Sequence, residues 1–160
     1  MSSMRRSFIA VILLALGASA FPVGPASAAE GGKTCKLSIS GNDMMQYDKK
    51  ELSVGADCAV VELTLKHTGK LPAQSMGHNW VLVKTPDVNA VASAGMAVGL
   101  KGNYVAADDK RVIVHTKVVG GGESDTIKFP TSKLKKGEAY SFLCTFPGHS
   151  ALMKGKFSFG

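Results

Sequence analysis

From Ala59 to His67 the chain alternates: Val61, Leu63, Leu65 and His67 fall on one side, Glu62, Thr64 and Lys66 on the other. This period of two marks a strand with one buried face, and it points His67 inward. Near the C-terminus, Tyr140, Phe142, Cys144 and Phe146 share one parity, and Met153, Phe157 and Phe159 share another. Cys144 and Met153 therefore fall on registers that face a core. Similar short runs of Val, Ile, Leu, Phe and Thr recur between Gly, Asn, Asp and Pro, which predicts an all-β sandwich or barrel. The stretch from Asp87 to Leu100 breaks the alternation and is rich in Ala, Val, Met and Gly. It predicts one short helical flap starting at Asp87, its end weakened by Gly95 and Gly99.

The first residues follow a different pattern. Arg5 and Arg6 precede an uncharged apolar run from Phe8 to Phe21, and Ala26, Ser27 and Ala28 then supply small residues at a cleavage point. That arrangement predicts a secretory signal peptide over residues 1–28, since the run is shorter than the roughly twenty residues a spanning helix needs. The twin arginines suit either a general secretory or a twin-arginine route. Removing residues 1–28 leaves one domain, 29–160, with 17 basic and 12 acidic residues and a net charge of +5. Its lysines sit beside Gly, Asp and Ser without interleaved aromatics, which argues against a nucleic-acid surface. A moderate positive charge still favours encounter with acidic partners.

Three cysteines in an exported chain leave one thiol unpaired. Cys35 and Cys58 lie near early strands, and a bridge between them would contribute roughly 3 kcal/mol through loop closure. Pairing them leaves Cys144, in the segment Cys144, Thr145, Phe146, Pro147, Gly148, His149, Ser150, Ala151, Leu152, Met153. Pro147 and Gly148 favour a tight hairpin that would carry all three donor types to one point. A thiolate, imidazoles and a weak axial thioether describe a blue-copper electron-transfer site. The second imidazole is assigned to His78, within Ser75, Met76, Gly77, His78, Asn79, Trp80, where Gly77 lets its carbonyl approach a metal closely. Taken singly, each residue has an ordinary structural role. Together they are better explained by a metal, because an unprotected exported thiol would be oxidised or cross-linked.

Met76 to Leu82 and Cys144 to Gly155 resemble the two copper-binding segments of the azurins. The likeness extends over the mature chain, including the early cysteine pair, the Gly41, Asn42, Asp43 turn and the Val114, His115, Thr116, Lys117 stretch. Four residues separate Cys144 from His149 and three separate His149 from Met153, a spacing similar to azurin's. The resemblance implies an all-β cupredoxin Greek-key sandwich in a bacterial periplasm, with one type 1 copper ion. It implies Cys144, His78 and His149 as equatorial ligands, and Met153 with the Gly77 carbonyl as axial ones. Asn79 would tie the two ligand loops together, Phe146 would stand beside the site, and Trp80 would lie in the core.

The expected role is that of a monomeric carrier that shuttles single electrons between redox proteins such as c-type cytochromes or a periplasmic reductase, without binding nucleic acid or spanning a membrane. Met45, Leu71, Met76, Met96, Phe146, Pro147, Ala151 and Leu152 form the expected docking patch around His149. His67 is expected to be buried and structural, and His115 exposed. An oxidase or reductase would need an open coordination position or a second metal centre. A copper-delivery protein would need exposed, exchangeable ligands. The proposed ligands fill the single site and leave only His67 and His115, too few for a second cluster, and the ligands' core-facing registers favour a fixed site over delivery.

Overall fold

The computed structural model describes residues 32–160. The expected signal, residues 1–28, lies outside the described residues. Among the described residues, nine strands form two sheets, with β1 over Lys33–Asn42, β2 Gln46–Tyr47, β3 Glu51–Val54, β4 Cys58–His67, β5 Val81–Lys84, β6 Val112–His115, β7 Ser124–Pro130, β8 Tyr140–Leu143 and β9 Lys154–Phe159. The first sheet runs β2-β1-β4-β7 and the second β3-β9-β8-β5-β6. β1 lies parallel to β4 and β3 parallel to β9, whereas the remaining pairs are antiparallel. Long connections therefore cross between the sheets, as in a Greek-key sandwich.

The alternation in β4 explains its place at the centre of the first sheet. Val61, Leu63, Leu65 and His67 are buried, whereas Lys66 is exposed and Glu62 and Thr64 are partly so. On the outer face Glu62 holds Lys128 at 2.9 Å and Lys36 at 3.6 Å. Between the sheets Trp80 packs against Phe129, Phe142 and Phe157, with ring centroids 6.0 to 6.4 Å apart. Such offset and edge contacts add to the burial of the rings themselves. Among the described residues, the Trp80 indole N–H is the one buried side-chain polar atom without a hydrogen-bond partner. The apolar surroundings of that ring leave the donor nothing to bind.

Two short helices interrupt the strands: α1 over Ala73–Met76 and α2 over Val88–Val98. α2 realises the expected flap, and Asp87 occupies its N-cap position, although the carboxylate makes no capping hydrogen bond. A turn of 3₁₀ helix over Thr85–Asp87 carries the chain into it. Val91 of α2 packs with Val105 on Val81, Val83 and Leu143, so β5 is buried on both faces. That explains its unbroken apolar reading, which alternation alone does not reveal. Cys35 and Cys58 are disulfide-bonded. Among the described residues no helix is long and apolar enough to cross a membrane.

The core dictates a sharp contrast in tolerance. Phe142 is fully buried between the sheets, so Phe142→Ala should cost about 3–5 kcal/mol in urea unfolding. Lys117→Ala, at an exposed position, should stay within about 0.5 kcal/mol.

Candidate metal centre

The antiparallel register of β5 and β8 opposes Val81 to Leu143. Extended past the strand ends, that register sets the segment His78 to Trp80 beside Cys144 and Thr145. The His78 backbone is held from its other side by paired bonds with Val119, 3.0 Å and 2.8 Å long. Asn79 then bolts the segments together. Its side-chain oxygen accepts the Thr145 amide at 2.9 Å, and its amide nitrogen donates to Thr145 Oγ1 and to the Asn103 carbonyl, both at 2.7 Å. The hairpin after β8 closes through the Cys144 amide on the Met153 carbonyl (2.9 Å) and the Met153 amide on the His149 carbonyl (2.7 Å). His149 itself opens a 3₁₀ turn, His149–Ala151.

These constraints bring His78, Cys144 and His149 together, with one donor atom from each within 4.8 Å of the others. His78 Nδ1 and His149 Nδ1 are 3.2 Å apart, and Cys144 Sγ lies 3.7 Å from His149 Nδ1. Donors held about 2.0–2.3 Å from a shared ion in a trigonal array would stand roughly 3.5–3.8 Å apart, so the set fits a metal. One thiolate with two imidazoles also matches the soft, nitrogen-and-sulfur preference of copper. The ring of His78 is turned correctly for this, because Nε2 donates to the Asn42 carbonyl at 2.9 Å and leaves Nδ1 to face the cluster. All three residues are buried, with His149 the most accessible at 2 %.

Burial also shapes their proton affinities. Desolvation pushes the Cys144 thiol up to about 12, against the opposing pull of the Asn79 and Phe146 backbone N–H groups. His149 is lowered to about 4, first by burial and then by neighbouring imidazoles, and His78 is lowered chiefly by burial. The site therefore favours neutral imidazoles, which are the forms that bind metal.

Gly77 and Met153, the expected axial donors, flank this cluster. Gly77 precedes His78, and a Cβ there would lie 2.4 Å from Val118 Cγ1 and 2.5 Å from the Ala73 carbonyl, so the approach admits no side chain. Met153 is fully buried. A Cβ on Gly41 would meet both the His78 ring, at 2.6 Å, and the Met153 methyl, at 3.1 Å, which places thioether and imidazole side by side under that glycine. His67 stacks on His78 with centroids 4.4 Å apart, and its Nε2 lies 2.8 Å from the Met76 carbonyl.

The expected docking residues divide. Leu71, Met96, Pro147, Ala151 and Leu152 are exposed, and Met45 and Met76 are partly so. Phe146 is buried instead, edge-on to Tyr104 and tilted against His149, so it walls the site from within. Met44, which the alternation did not single out, is 69 % exposed, whereas Met45 adopts a left-handed φ of 55° and packs on the core. A local backbone inversion decides which of two adjacent methionines faces out, and no pattern in the residues signals it. His115 is partly buried rather than exposed, its Nδ1 2.9 Å from the Thr116 carbonyl. Asn103, which no pattern in the residues signals, also supports the site: its carbonyl accepts from the Asn79 side chain and its side-chain oxygen accepts the Val118 amide at 2.9 Å.

Residues 33–159 match the family described as copper binding proteins, plastocyanin/azurin family. The chain is 55 % identical over 121 residues to azurin-1 of Alcaligenes xylosoxydans xylosoxydans, covering 76 % of this chain and 94 % of that one. It is 48 % identical over 152 residues to an azurin of Pseudomonas aeruginosa, covering 95 % and 97 %. Among solved structures, an azurin (Az-iso2) from Methylomonas sp. strain J superposes with a TM-score of 0.76 at 41 % identity, covering 79 % of this chain and 98 % of that one.

The lowered His149 value sets a pH dependence for the metal-free protein. Between its ordinary value of 6.5 and about 4, the unfolded chain binds a proton that the folded chain refuses, so stability is lost as pH falls through that window. Urea unfolding of the metal-free protein at pH 7 and pH 4.5 should show this loss, and His149→Gln should reduce it.

Proposed function

The chain belongs to the plastocyanin/azurin family of copper-binding proteins, and from that premise we propose that His78, Cys144 and His149 would hold its copper, with Met153 and the Gly77 carbonyl as weaker donors. The protein is a blue-copper electron carrier and not an enzyme. The observation that carries the ligand assignment is the convergence of three buried donors, two imidazoles and the one free cysteine among the described residues, within 4.8 Å.

When bound, copper supplies a one-electron exchange between Cu(I) and Cu(II). The work of the chain is to keep the donors still, because atoms that rearrange on oxidation slow electron transfer. Asn79 does so by joining the His78 segment to Thr145, the neighbour of Cys144. The Asn42 carbonyl fixes the tautomer and the plane of His78. Backbone N–H groups of Asn79 and Phe146 favour the thiolate form of Cys144 against the cost of burying it. Tyr47 donates its hydroxyl to the Asn79 carbonyl and so anchors the same segment from the first sheet.

Electrons are exchanged through the His149 edge. In support, His149 sits in an exposed hairpin flanked by Pro147, Ala151 and Leu152, whereas His78 is sealed behind Asn42 and His67. The partners proposed are c-type cytochromes or a periplasmic reductase. A periplasmic location is proposed from the export signal over residues 1–28, whose removal would leave 29–160 as the working domain. That signal rests on its basic start, its apolar run and its small cleavage residues.

Loading the purified protein with Cu(II) should give an intense blue charge-transfer band that reductant bleaches and oxidant restores. Cys144→Ser should abolish the band. A variant that stayed blue without that thiol would refute the ligand set.

A further inference from the structure

The outer face of the second sheet is only half covered. α2 lies over Val81, Val83 and Leu143, and beyond it a groove of about 620 Å³ opens across β8 and β9, lined among others by Thr85, Ser141, Lys154, Lys156 and Ser158. Lys154 and Lys156 point outward from alternate positions of β9. Lys50, just before β3, joins them: its carbonyl accepts the Lys156 amide at 2.8 Å, and its ammonium group donates to the Leu152 carbonyl at 2.8 Å.

All three lysines are exposed, and none of them is ion-paired among the described residues. Elsewhere Lys33 is paired with Asp57, Lys36 and Lys128 with Glu62, and Lys49 with Asp48. Near the strip, Glu138 is held by Lys84 at 3.0 Å, and Glu51 is the cross-strand neighbour of Lys156. Three ammonium groups thus face one uncommitted carboxylate.

The strip begins at the metal hairpin. Leu152 lies between His149 and Met153 and is 55 % exposed, so any partner that covers it meets Lys50 and Lys154 at once. The far side of the apolar patch differs. There, Asp43 accepts the Lys70 and Leu71 amides, which hold its carboxyl below the usual range, so that side carries a carboxylate. The three unpaired lysines on the other side give the patch a direction.

We infer that Lys50, Lys154 and Lys156 are the orienting half of the docking surface, and that this surface fits a protein partner whose electron-exchanging edge is bordered by carboxylates. The inference rests on the electron-carrier reading above. Apolar contact at Leu152 and Ala151 brings the redox centres together, while the lysines select the approach and raise the encounter rate. Their reach is limited to about 8 Å at physiological salt, so the effect fades as salt rises.

The test uses copper-loaded, reduced protein, which gives one electron to a ferric cytochrome and becomes Cu(II) as the haem becomes ferrous. Two probes differ only in surface charge: a cytochrome c with its lysines intact, and the same cytochrome with its lysines succinylated. At low ionic strength the unmodified protein should react faster with the succinylated form. K50E/K154E should slow that reaction about tenfold and speed the reaction with the cationic form. K133E/K135E changes net charge equally, but these residues lie before β8, whereas Cys144 follows its end. It should shift either rate less than about twofold.

Equal slowing by both double variants, or none by K50E/K154E, would overturn the inference. So would binding to phosphatidylglycerol vesicles that depends on Lys50 and Lys154 while the cytochrome rates stay unchanged, since that would assign the strip to a lipid surface. Failure of the carrier reading looks different: the protein would show no blue band and would not accept an electron from uncharged ferrocenylmethanol. An intact band and intact ferrocenylmethanol kinetics, with no lysine effect, would remove the docking inference alone.

Discussion

Three donor atoms, His78 Nδ1, Cys144 Sγ and His149 Nδ1, are held within 4.8 Å of one another in a nearly closed shell, and the rest of the structure answers to that constraint. Burying polar groups is unfavourable unless they find partners. The outer nitrogen of His78 finds one in the Asn42 carbonyl. The inner donor atoms instead face one another. What holds them is therefore the frame behind them, in which Asn79 satisfies three hydrogen bonds at once and leaves neither ligand segment free to move alone. Removing such a buried partner strands its mates, which is costlier than the value of a single bond.

The sandwich explains how that frame can be rigid. Both ligand segments leave adjacent strands of one sheet, so the β5–β8 register sets their spacing before any side chain is considered. Trp80, two residues beyond His78, is locked among Phe129, Phe142 and Phe157. Any shift of the ligand strand would have to open that cluster, and close-packed interiors resist such movement. Small residues then permit the closest approaches. Gly41 leaves room for the His78 ring and the Met153 methyl, and Gly77 fits against Val118 and Ala73.

The surface divides its tasks in the same way. Around the hairpin, Pro147, Ala151 and Leu152 are exposed, whereas Phe146 turns inward against His149. The apolar rim can therefore be covered by a partner without disturbing the aromatic wall of the site. Charge is distributed unevenly: Glu62 balances Lys36 and Lys128 on the outer face of the first sheet, whereas the lysines on β9 beside the hairpin have no such partner among the described residues.

Much of this was legible in the residues. Alternation located β4, β8 and β9 and their buried faces, because a strand repeats every two residues whatever surrounds it. That Cys144, His149 and Met153 lie close together was readable because a hairpin keeps near neighbours near, and the pairing of Cys35 with Cys58 was readable from their place near early strands, with the odd count leaving one thiol over. Only the tertiary structure decided the rest. Asn103 reaches the site from a distant loop, and Met44 rather than Met45 is exposed through one left-handed φ. The lysine strip joins Lys50 to Lys154 and Lys156, which lie far from it in the chain and meet it because β3 pairs parallel to β9. A single strand's pattern states which side is buried. Which strands become neighbours, and what stands across from each residue, depends on long-range pairing that no local pattern encodes.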